Sequence, residues 1–367
     1  MSKNKFSDIK KILQDAKNGK MFVLVDDEER ENEGDLIIPA SKVTPKSINF
    51  MAKYGRGLIC LTLCRDQADK LNLSLMSQTH TIKDSTAFTV SIDAKKKITT
   101  GISAFDRAKT IKVATKKNVS SRDIVSPGHV FPIIAKKGGV LVRAGHTEAS
   151  VDISKLSKSG SSAVICEIMN EDGTMAKGKQ LINFAKKHKI NIGKIEDLIA
   201  YRLKKENFIR LKKNSYIKIK NENYKIKIFE NLLDGSEHFS LIKGNIQSSV
   251  YPRVRVISSN IVQNYLVDGD IPNVFNRAIK YFKKYKDCVL VFIRDTNLKS
   301  VSETLKAYKQ KQFYNSKNDK LIRTYGIGAQ IIKALNIKKM ILVTRSKKKV
   351  IGLSGYGIKI IKQEIIK

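Results

Sequence analysis

The segment Asp26–Asp35 reads DDEERENEGD, and seven of its ten residues are acidic in a chain whose formal net charge is +36. An apolar run, Met21–Val25, precedes it, and another, Leu36–Ala40, follows it. Two apolar runs joined by a short polar segment, with Gly34 near its end, predict two strands and a tight connection. Carboxylates so close together repel one another unless a cation lies among them. A divalent ion that prefers oxygen ligands is one interpretation, and a solvated acidic loop is the other.

Outward from this segment, apolar runs alternate with amphipathic stretches, and the loops between them carry the polar residues. The pattern predicts an α/β (α+β mixed) fold, with a layered mixed sheet in residues 1–205. A chain of 367 residues has room for two domains. Residues 206–215 (ENFIRLKKNS) are predicted as a linker, and residues 216–367 as a second α/β domain. The main strands predicted for the first domain are Gly57–Leu63, Phe88–Ile92, Val130–Ala135 and Ser162–Met169.

Composition excludes several classes of protein. The hydrophobic fraction of 41% and the mean hydropathy of −0.27 are typical of a soluble globular protein. No apolar run approaches the roughly 18 residues of a membrane span, and the basic N-terminus lacks the apolar region of a secretory signal. The four cysteines lie in or beside apolar runs, which favours free thiols in a cytoplasmic protein without a membrane partner. Cys60 and Cys64 have no second ligand pair nearby, so a zinc site there is not expected.

The basic charge has two interpretations. One is binding to nucleic acid through phosphate neutralisation. The other is a lysine-rich surface, whose field would also favour an anionic small substrate. The lysines are scattered, and the runs Lys95–Lys97 and Lys347–Lys349 have no aromatic residues between them. The second interpretation is therefore preferred, and no nucleic-acid partner is expected.

Several polar residues of the first domain stand out by type and position. His129 and His146 each follow a glycine, Arg143 lies close to the second histidine, and Glu167 lies within an apolar strand. One histidine and one glutamate can hold Mg²⁺ or Mn²⁺, and Arg143 with Thr147 at a helix N-terminus can bind a phosphate. The other histidine and glutamate can transfer protons. Taken singly, each has a simpler explanation as a turn, an ion pair or surface charge; together they favour a metal-assisted reaction on a phosphorylated sugar or polyol.

Five segments, in order and spacing from about Phe22 to Leu203, resemble the signature segments of 3,4-dihydroxy-2-butanone 4-phosphate synthase. The resemblance implies a mixed-sheet α/β fold and conversion of D-ribulose 5-phosphate to L-3,4-dihydroxy-2-butanone 4-phosphate and formate in riboflavin biosynthesis. It also implies a need for Mg²⁺ or Mn²⁺ and a homodimer. The segments are Arg30–Asp35 (RENEGD), Thr100–Ala104 (TGISA), Ser126–Pro132 (SPGHVFP), Arg143–Glu148 (RAGHTE) and Cys166–Glu167 with Asp172–Ala176 (DGTMA).

The same resemblance implies roles for individual residues. Glu31 and His146 would ligate the metal, and His129 and Glu167 would be the catalytic pair. Either Asp35 or Glu33 could accept the first proton. The acidic stretch at residues 26–29 matches no functional position and is predicted to frame the loop. The residues expected to contact the substrate are Arg30, Glu31, Asp35, Arg143, Ala144, Gly145, His146, Thr147 and Glu167.

The second half, from about Phe208 to Ile366, resembles GTP cyclohydrolase II. That family binds zinc through three cysteines, but the corresponding stretch here, Val254–Phe275, contains none, and Cys288 alone cannot build a zinc site. We therefore expect no zinc and no GTP hydrolysis, and a dimerisation or regulatory role. The alternatives are a bifunctional enzyme with an unrecognised metal site and, more distantly, a nucleic-acid-binding protein. The segments that carry the resemblance are Glu237-His238, Arg323–Gln330 (RTYGIGAQ) and Gly352–Gly357 (GLSGYG).

Overall fold

The computed structural model describes residues 6–27, 31–76, 86–258, 274–294, 318–345 and 356–366, with the backbone alone for 318–325. The chain divides into two compact units, Met1–Tyr201 and Arg202–Lys367. Within the described ranges, no helix is both long and apolar enough to cross a membrane.

The first unit is built on a seven-stranded mixed sheet in the order β4-β5-β3-β6-β2-β1-β7. Its central strands β3, β6, β2 and β1 are almost wholly buried, which explains their continuous apolar sequences. The elements are α1 Ile9–Lys17, β1 Phe22–Val25, β2 Gly34–Pro39, α2 Pro45–Phe50, β3 Cys60–Leu63, α3 Arg65–Lys70, β4 Ile92–Ala94, α4 Ala104–Ala114, β5 Ile124–Ile134, α5 His146–Leu156, β6 Ser162–Glu167, α6 Lys179–Lys187, β7 Asn191–Lys194 and α7 Ile195–Lys205.

Local sequence signals account for several element boundaries. Thr44 caps α2 by accepting the Ser47 N–H at 3.1 Å, with Pro45 in the first turn. A π-helical turn, Met51–Gly55, continues α2. Ser103 caps α4 by accepting the Asp106 N–H at 3.0 Å. Thr and Ser are both residue types that favour the N-cap position, and such caps stabilise a helix by about 1 kcal/mol.

The second unit contains another seven-stranded sheet, in the order β14-β13-β11-β12-β10-β9-β8. Strands β8 to β10 form an antiparallel meander, whereas β11 to β14 are parallel to their neighbours in the sheet apart from the β10–β12 pair. The predicted mixed α/β class is confirmed for both units. The elements are β8 Ile209–Ile219, β9 Glu222–Asn231, β10 Glu237–Lys243, β11 Arg253–Ser258, α8 Val274–Phe282, β12 Cys288–Ile293, α9 Asn318–Ala334, β13 Lys339–Thr344 and β14 Lys359–Ile365.

The predicted linker at residues 206–215 contains the first half of β8. This strand is exposed along nearly all its length, so its sequence has the polar composition of a linker although its backbone pairs with β9. Gln330 holds the segment before it: Phe208 N–H donates to its Oε1 at 3.1 Å, and its Nε2 donates to the Glu206 carbonyl at 2.7 Å. The predicted strand Phe88–Ile92 is also different, because Phe88 and Thr89 make only isolated bridges and β4 begins at Ile92.

Candidate active site

Two carboxylates face each other across the centre of the first sheet. β2 and β6 are antiparallel, and their register places Asp35 opposite Glu167. Paired residues on adjacent strands project from the same face, with Cβ atoms about 5 Å apart. Asp35 is 3% exposed. Burial, followed by the charges of Glu167, Asp26, Glu31 and Glu33, raises the pKa of Asp35 well above its usual value.

His146 begins α5 and its ring reaches this cluster. Its Nε2 lies 3.2 Å from the Leu24 carbonyl of β1. A carbonyl only accepts hydrogen bonds, so the proton of this contact is on Nε2, and Nδ1 is the ring nitrogen that can ligate a cation in this tautomer. Nδ1 lies 3.8 Å from Asp35 Oδ1. The backbone of β1 therefore orients the side of the imidazole that can bind a cation toward the carboxylates, as metal-ligating histidines are oriented in other proteins.

Asp26, Glu31 and His146 form a group that fits a metal ion. One ligand atom from each lies within 4.8 Å of the others. Two carboxylates and one imidazole suit a hard divalent ion such as Mg²⁺ or Mn²⁺. Burial first, and then the negative charges of neighbours that include Asp26 and Glu31, raise the pKa of Asp35 beside this group. Asp26, which the sequence suggested only frames the loop, is thus a member of the group.

Hydrogen bonds with Asp26 and Lys177 hold the acidic connection between β1 and β2 in place. Glu33 N–H donates to Asp26 Oδ1 at 2.9 Å. Lys177 Nζ donates to the Glu31 carbonyl at 2.9 Å and lies 3.8 Å from Glu33 Oε1. Burial and the charge of Glu31 raise the pKa of Glu33 despite this lysine. These contacts join the acidic connection to Lys177, which follows β6 in the chain. β6 is the strand that carries Glu167.

A cationic cleft lies at the start of α5. Arg143 Nη1 donates to Glu148 Oε2 at 2.8 Å, and Glu148 Oε1 accepts the Lys136 N–H at 3.0 Å. Glu148 is only 1% exposed, so it fixes the Arg143 guanidinium from behind. Arg143, Thr147 and Glu148 line the cleft together with Ala87 and Ile133. Arginine beside the N-terminus of a helix is an arrangement that binds phosphate.

Glu167, at the end of β6, is held by the chain that enters β3. Leu58 N–H donates to Glu167 Oε2 at 2.9 Å. A Cβ on Gly57 would lie 2.6 Å from both the Glu167 carbonyl oxygen and Oε2. Only glycine at this position lets the chain approach so closely, and the Glu167 carboxylate is oriented as a result.

His129 lies on β5, two strands away from Glu167 in the sheet order. Its ring Nδ1 is 2.7 Å from Asp93 Oδ2, and its backbone N–H donates to Asp93 Oδ1 at 3.1 Å. The imidazole side chain is 41% exposed. The side-chain hydrogen-bond partner of this histidine is therefore Asp93, and the predicted catalytic roles of His129 and Glu167 stay predictions.

The structure thus brings together Asp35, His146 and Glu31, and places Thr147 with Arg143 in the adjoining cleft. Ala144 and Gly145 connect the two sets, with Gly145 as the N-cap of α5. Arg30 lies outside the described residues. Three further residues of these clusters were not predicted from the sequence to take part in the chemistry. Each had a weak signal, because Asp26 directly follows β1, Asp93 ends the FTVSID run, and Glu148 belongs to the RAGHTE segment.

Family models match both halves of the chain. Residues 10–201 match the model for 3,4-dihydroxy-2-butanone 4-phosphate synthase. Residues 210–365 match the model for GTP cyclohydrolase II. The chain belongs to the 3,4-dihydroxy-2-butanone 4-phosphate synthase family. Both resemblances drawn from the sequence are therefore confirmed.

Relatives of this synthase family cover the whole chain. A riboflavin biosynthesis protein RibBA from Aquifex aeolicus is 41% identical, over 99% of this chain and 93% of its own. A 3,4-dihydroxy-2-butanone 4-phosphate synthase from Photobacterium phosphoreum is 39% identical, over 97% and 98%. The name of the second relative states the synthase activity and no other.

Solved structures of synthase-family proteins agree with the fold. RibBX, a two-domain 3,4-dihydroxy-2-butanone 4-phosphate synthase from A. baumannii, superposes with a TM-score of 0.84 at 36% identity, covering 98% of this chain and 99% of that one. A synthase structure in complex with two magnesium ions covers 55% of this chain and 98% of its own, with a TM-score of 0.52 at 38% identity.

Proposed function

We propose that the chain converts D-ribulose 5-phosphate to L-3,4-dihydroxy-2-butanone 4-phosphate and formate, as a lyase of riboflavin biosynthesis. The observation that carries this proposal is the group of Asp26, Glu31 and His146 beside the buried Asp35–Glu167 pair. A cation site, two carboxylates and a phosphate-binding cleft are the parts that enolisation of a phosphorylated ketose needs. Membership of the synthase family supports the same reaction.

In this proposal, Asp26, Glu31 and His146 hold Mg²⁺ or Mn²⁺. The ion, when bound, polarises the substrate carbonyl and its neighbouring hydroxyl and thereby acidifies the adjacent C–H bond. The magnesium ions in a structure of a related synthase support a divalent cation here. The two carboxylates and one imidazole of this group are consistent with that class of ion.

The phosphate binds in the cleft at the start of α5. Arg143 supplies a fixed positive charge there, because the buried Glu148 holds its guanidinium. The first turn of α5, which includes Thr147, supplies backbone N–H groups and the positive end of the helix dipole. These groups orient the sugar chain toward the carboxylates.

Asp35 accepts the first proton from the substrate. Asp35 is favoured over Glu33 because it lies opposite Glu167 and 3.8 Å from His146 Nδ1, and its raised pKa makes the ionised carboxylate a stronger base than an ordinary aspartate. Glu167, opposite it, and His129 transfer protons in the dehydration, carbon shift and loss of formate that follow. Arg30 and the backbone of Ala144 and Gly145 complete the contacts to the substrate.

The test is release of formate from ribulose 5-phosphate by the purified full chain, with and without EDTA. We expect turnover that EDTA abolishes and that either Mg²⁺ or Mn²⁺ restores. Glu31→Gln should abolish turnover in a folded protein. Glu171→Gln is the matched control, because Glu171 is exposed and pairs only with the surface residue Arg56 at 3.3 Å. Turnover by Glu31→Gln at the wild-type rate would contradict the metal assignment.

For the second unit we propose that GTP hydrolysis has been lost and that the domain binds no zinc. The support is the absence of cysteine from Val254–Phe275. Residues 295–301, and residues 301–312, for which the sequence predicts a helix, lie outside the described residues, as does Gly352–Gly355 of the GLSGYG segment. In the retained Arg323–Gln330 segment, Gln330 has a structural role through its bonds to Phe208 and Glu206.

We also propose a cytoplasmic homodimer, without a nucleic-acid or membrane partner. Sedimentation velocity on the full chain tests the dimer, and a filter-binding assay at near-physiological salt tests nucleic-acid binding. Tight binding to nucleic acid with a weak dependence on salt would contradict the proposal.

A further inference from the structure

Asp93 and His129 form a pair that the proposed chemistry does not yet explain. Asp93 lies on β4 and is 6% exposed, and His129 lies on the neighbouring strand β5, next to Val130, which pairs with Ile92. Both carboxylate oxygens of Asp93 bond to the same residue: Oδ2 lies 2.7 Å from His129 Nδ1, and Oδ1 accepts the His129 N–H at 3.1 Å. Two contacts of this kind fix the position of the backbone and the rotation of the ring together.

The pair also determines which ring nitrogen of His129 carries a proton. An ionised carboxylate only accepts hydrogen bonds, so the close contact requires a proton on Nδ1. In the neutral ring, Nε2 then has the free lone pair. The side chain is 41% exposed although its partner is buried, so Nε2 is on the accessible side, where it can take a proton from a substrate hydroxyl.

The turn before α4 closes over this pair. Gly101 has φ +93°, and a Cβ there would lie 2.2 Å from Asp93 Oδ2 and 2.5 Å from His129 Nδ1. Asp106 holds the turn, because its Oδ2 accepts the Gly101 N–H at 3.1 Å and the Thr99 hydroxyl at 2.7 Å. Only glycine can adopt this backbone conformation at such a close approach. The turn therefore packs closely against the bond between Asp93 and His129.

We infer that Asp93 is a positioning residue of this enzyme, which acts through His129 by fixing its ring and holding the proton on Nδ1. The inference rests on the proposed function, in which His129 transfers protons. A purely structural role for Asp93 would support the β4–β5 pairing alone. The two roles differ in what they predict for the tautomer of His129 and for a double variant.

The test compares Asp93→Asn with Asp123→Asn. Asp123 is the matched control, because it also accepts a backbone N–H, from Ser120 at 2.9 Å, and lies beside β5. We expect kcat of Asp93→Asn to fall by roughly 10²-fold with KM changed by no more than about two-fold, since an imidazole that loses its orienting carboxylate is misaligned for proton transfer. Asp123→Asn should keep kcat and KM. Asp93→Glu, which retains the charge, should recover part of the loss.

In the His129→Asn background, Asp93→Asn should cause almost no further loss, because its effect passes through the imidazole. An equal loss with and without His129 would overturn the inference. So would an unchanged kcat in a folded Asp93→Asn protein.

Nitrogen-15 NMR of labelled histidine provides a readout that does not depend on turnover, and the chain has only five histidines to assign. We expect His129 to be protonated on Nδ1 in the wild type and to become a mixture of tautomers in Asp93→Asn. A wild-type His129 protonated only on Nε2 would overturn the inference even if Asp93→Asn failed to fold. If the wild type released no formate from ribulose 5-phosphate, the proposed function would fail, while the tautomer would still decide the role of Asp93.

Discussion

The two units each contain a seven-stranded sheet and a buried histidine, but the histidines have opposite surroundings. His146, 7% exposed, reaches carboxylates and belongs to the candidate metal group. His238, 2% exposed, accepts the Arg294 N–H at its Nδ1 at 3.2 Å, and its Nε2 lies 3.3 Å from Ser236 Oγ. Burial, with a contribution from the charge of Arg294, lowers the pKa of His238. In the part of the chain that the structure describes, only the first unit has a group of side chains suited to a metal.

This contrast separates what a fold requires from what its chemistry requires. Both sheets are held by buried apolar strands such as β6 and β12. The chemistry of the first unit depends on a few polar side chains at specific register positions. Polar side chains of a site can be replaced while the apolar core is kept. The second unit can therefore have the fold of the GTP cyclohydrolase II family without the cysteines of that family.

The largest difference between the two histidines should appear in turnover. We expect His146→Ala to reduce formate release from ribulose 5-phosphate by roughly 10³-fold, the scale expected when a main stabilising group for transition-state charge is lost. His238→Gln should leave the turnover number near that of the wild type, because the partners of its ring among the described residues, Arg294 and Ser236, belong to the second unit. Comparable losses in both variants would contradict the division of roles.

Loss of the Asp26 carboxylate should weaken metal binding without abolishing it. We expect Asp26→Asn to weaken Mg²⁺ binding by about 10- to 100-fold, the range for loss of a supporting carboxylate at a metal site. The measurement is isothermal titration calorimetry on the full chain. Asp123→Asn removes the same charge from another loop and should leave the affinity unchanged. An unchanged affinity in Asp26→Asn would mean that this residue only frames the loop.

The carboxylate cluster should cost stability when no cation is bound. Because the pKa of Asp35 is raised in the folded protein, the wild type loses stability as pH rises from the unfolded pKa to the folded one. Asp35→Asn removes this penalty, so we expect its melting temperature in EDTA to exceed that of the wild type by a few degrees. The excess should grow with pH above about 4 and shrink when Mg²⁺ is added.

Asp123→Asn is a control of opposite sign for this experiment, because the Ser120 N–H lowers the pKa of Asp123. Its removal should lower the melting temperature slightly or leave it unchanged. An Asp35→Asn protein that is less stable than the wild type at every pH would show that Asp35 has a favourable partner in the folded state.

The smallest expected effect is in the second unit. GTP with Zn²⁺ should give no formate and no pyrimidine product, because no activated water is available to attack the purine ring without the metal site. The full chain should be assayed at the concentration that turns over ribulose 5-phosphate, so that a functional first unit serves as the internal control. Product at a useful rate would establish the bifunctional alternative.

By itself, the sequence determined the two-domain α/β organisation, the strand pair around the acidic segment, the helix caps at Thr44 and Ser103, and the family. These follow from periodicity, capping chemistry and long motifs, all of which are local in the chain. It did not reveal that residues 209–215 form a strand, because an exposed strand has no apolar periodicity.

Only the tertiary structure decided how the site is assembled. The register of β2 with β6 places Asp35 opposite Glu167, 132 residues later in the chain by their numbering. The contact of the Leu24 carbonyl with Nε2 turns Nδ1 of His146 toward Asp35, and Asp93 supplies the hydrogen-bond partner of His129. Asp26 likewise belongs to the candidate metal group because folding brings it close to His146. Residues distant in the chain are brought together by strand register and by the direction of hydrogen bonds. Composition and spacing along the chain specify neither of these.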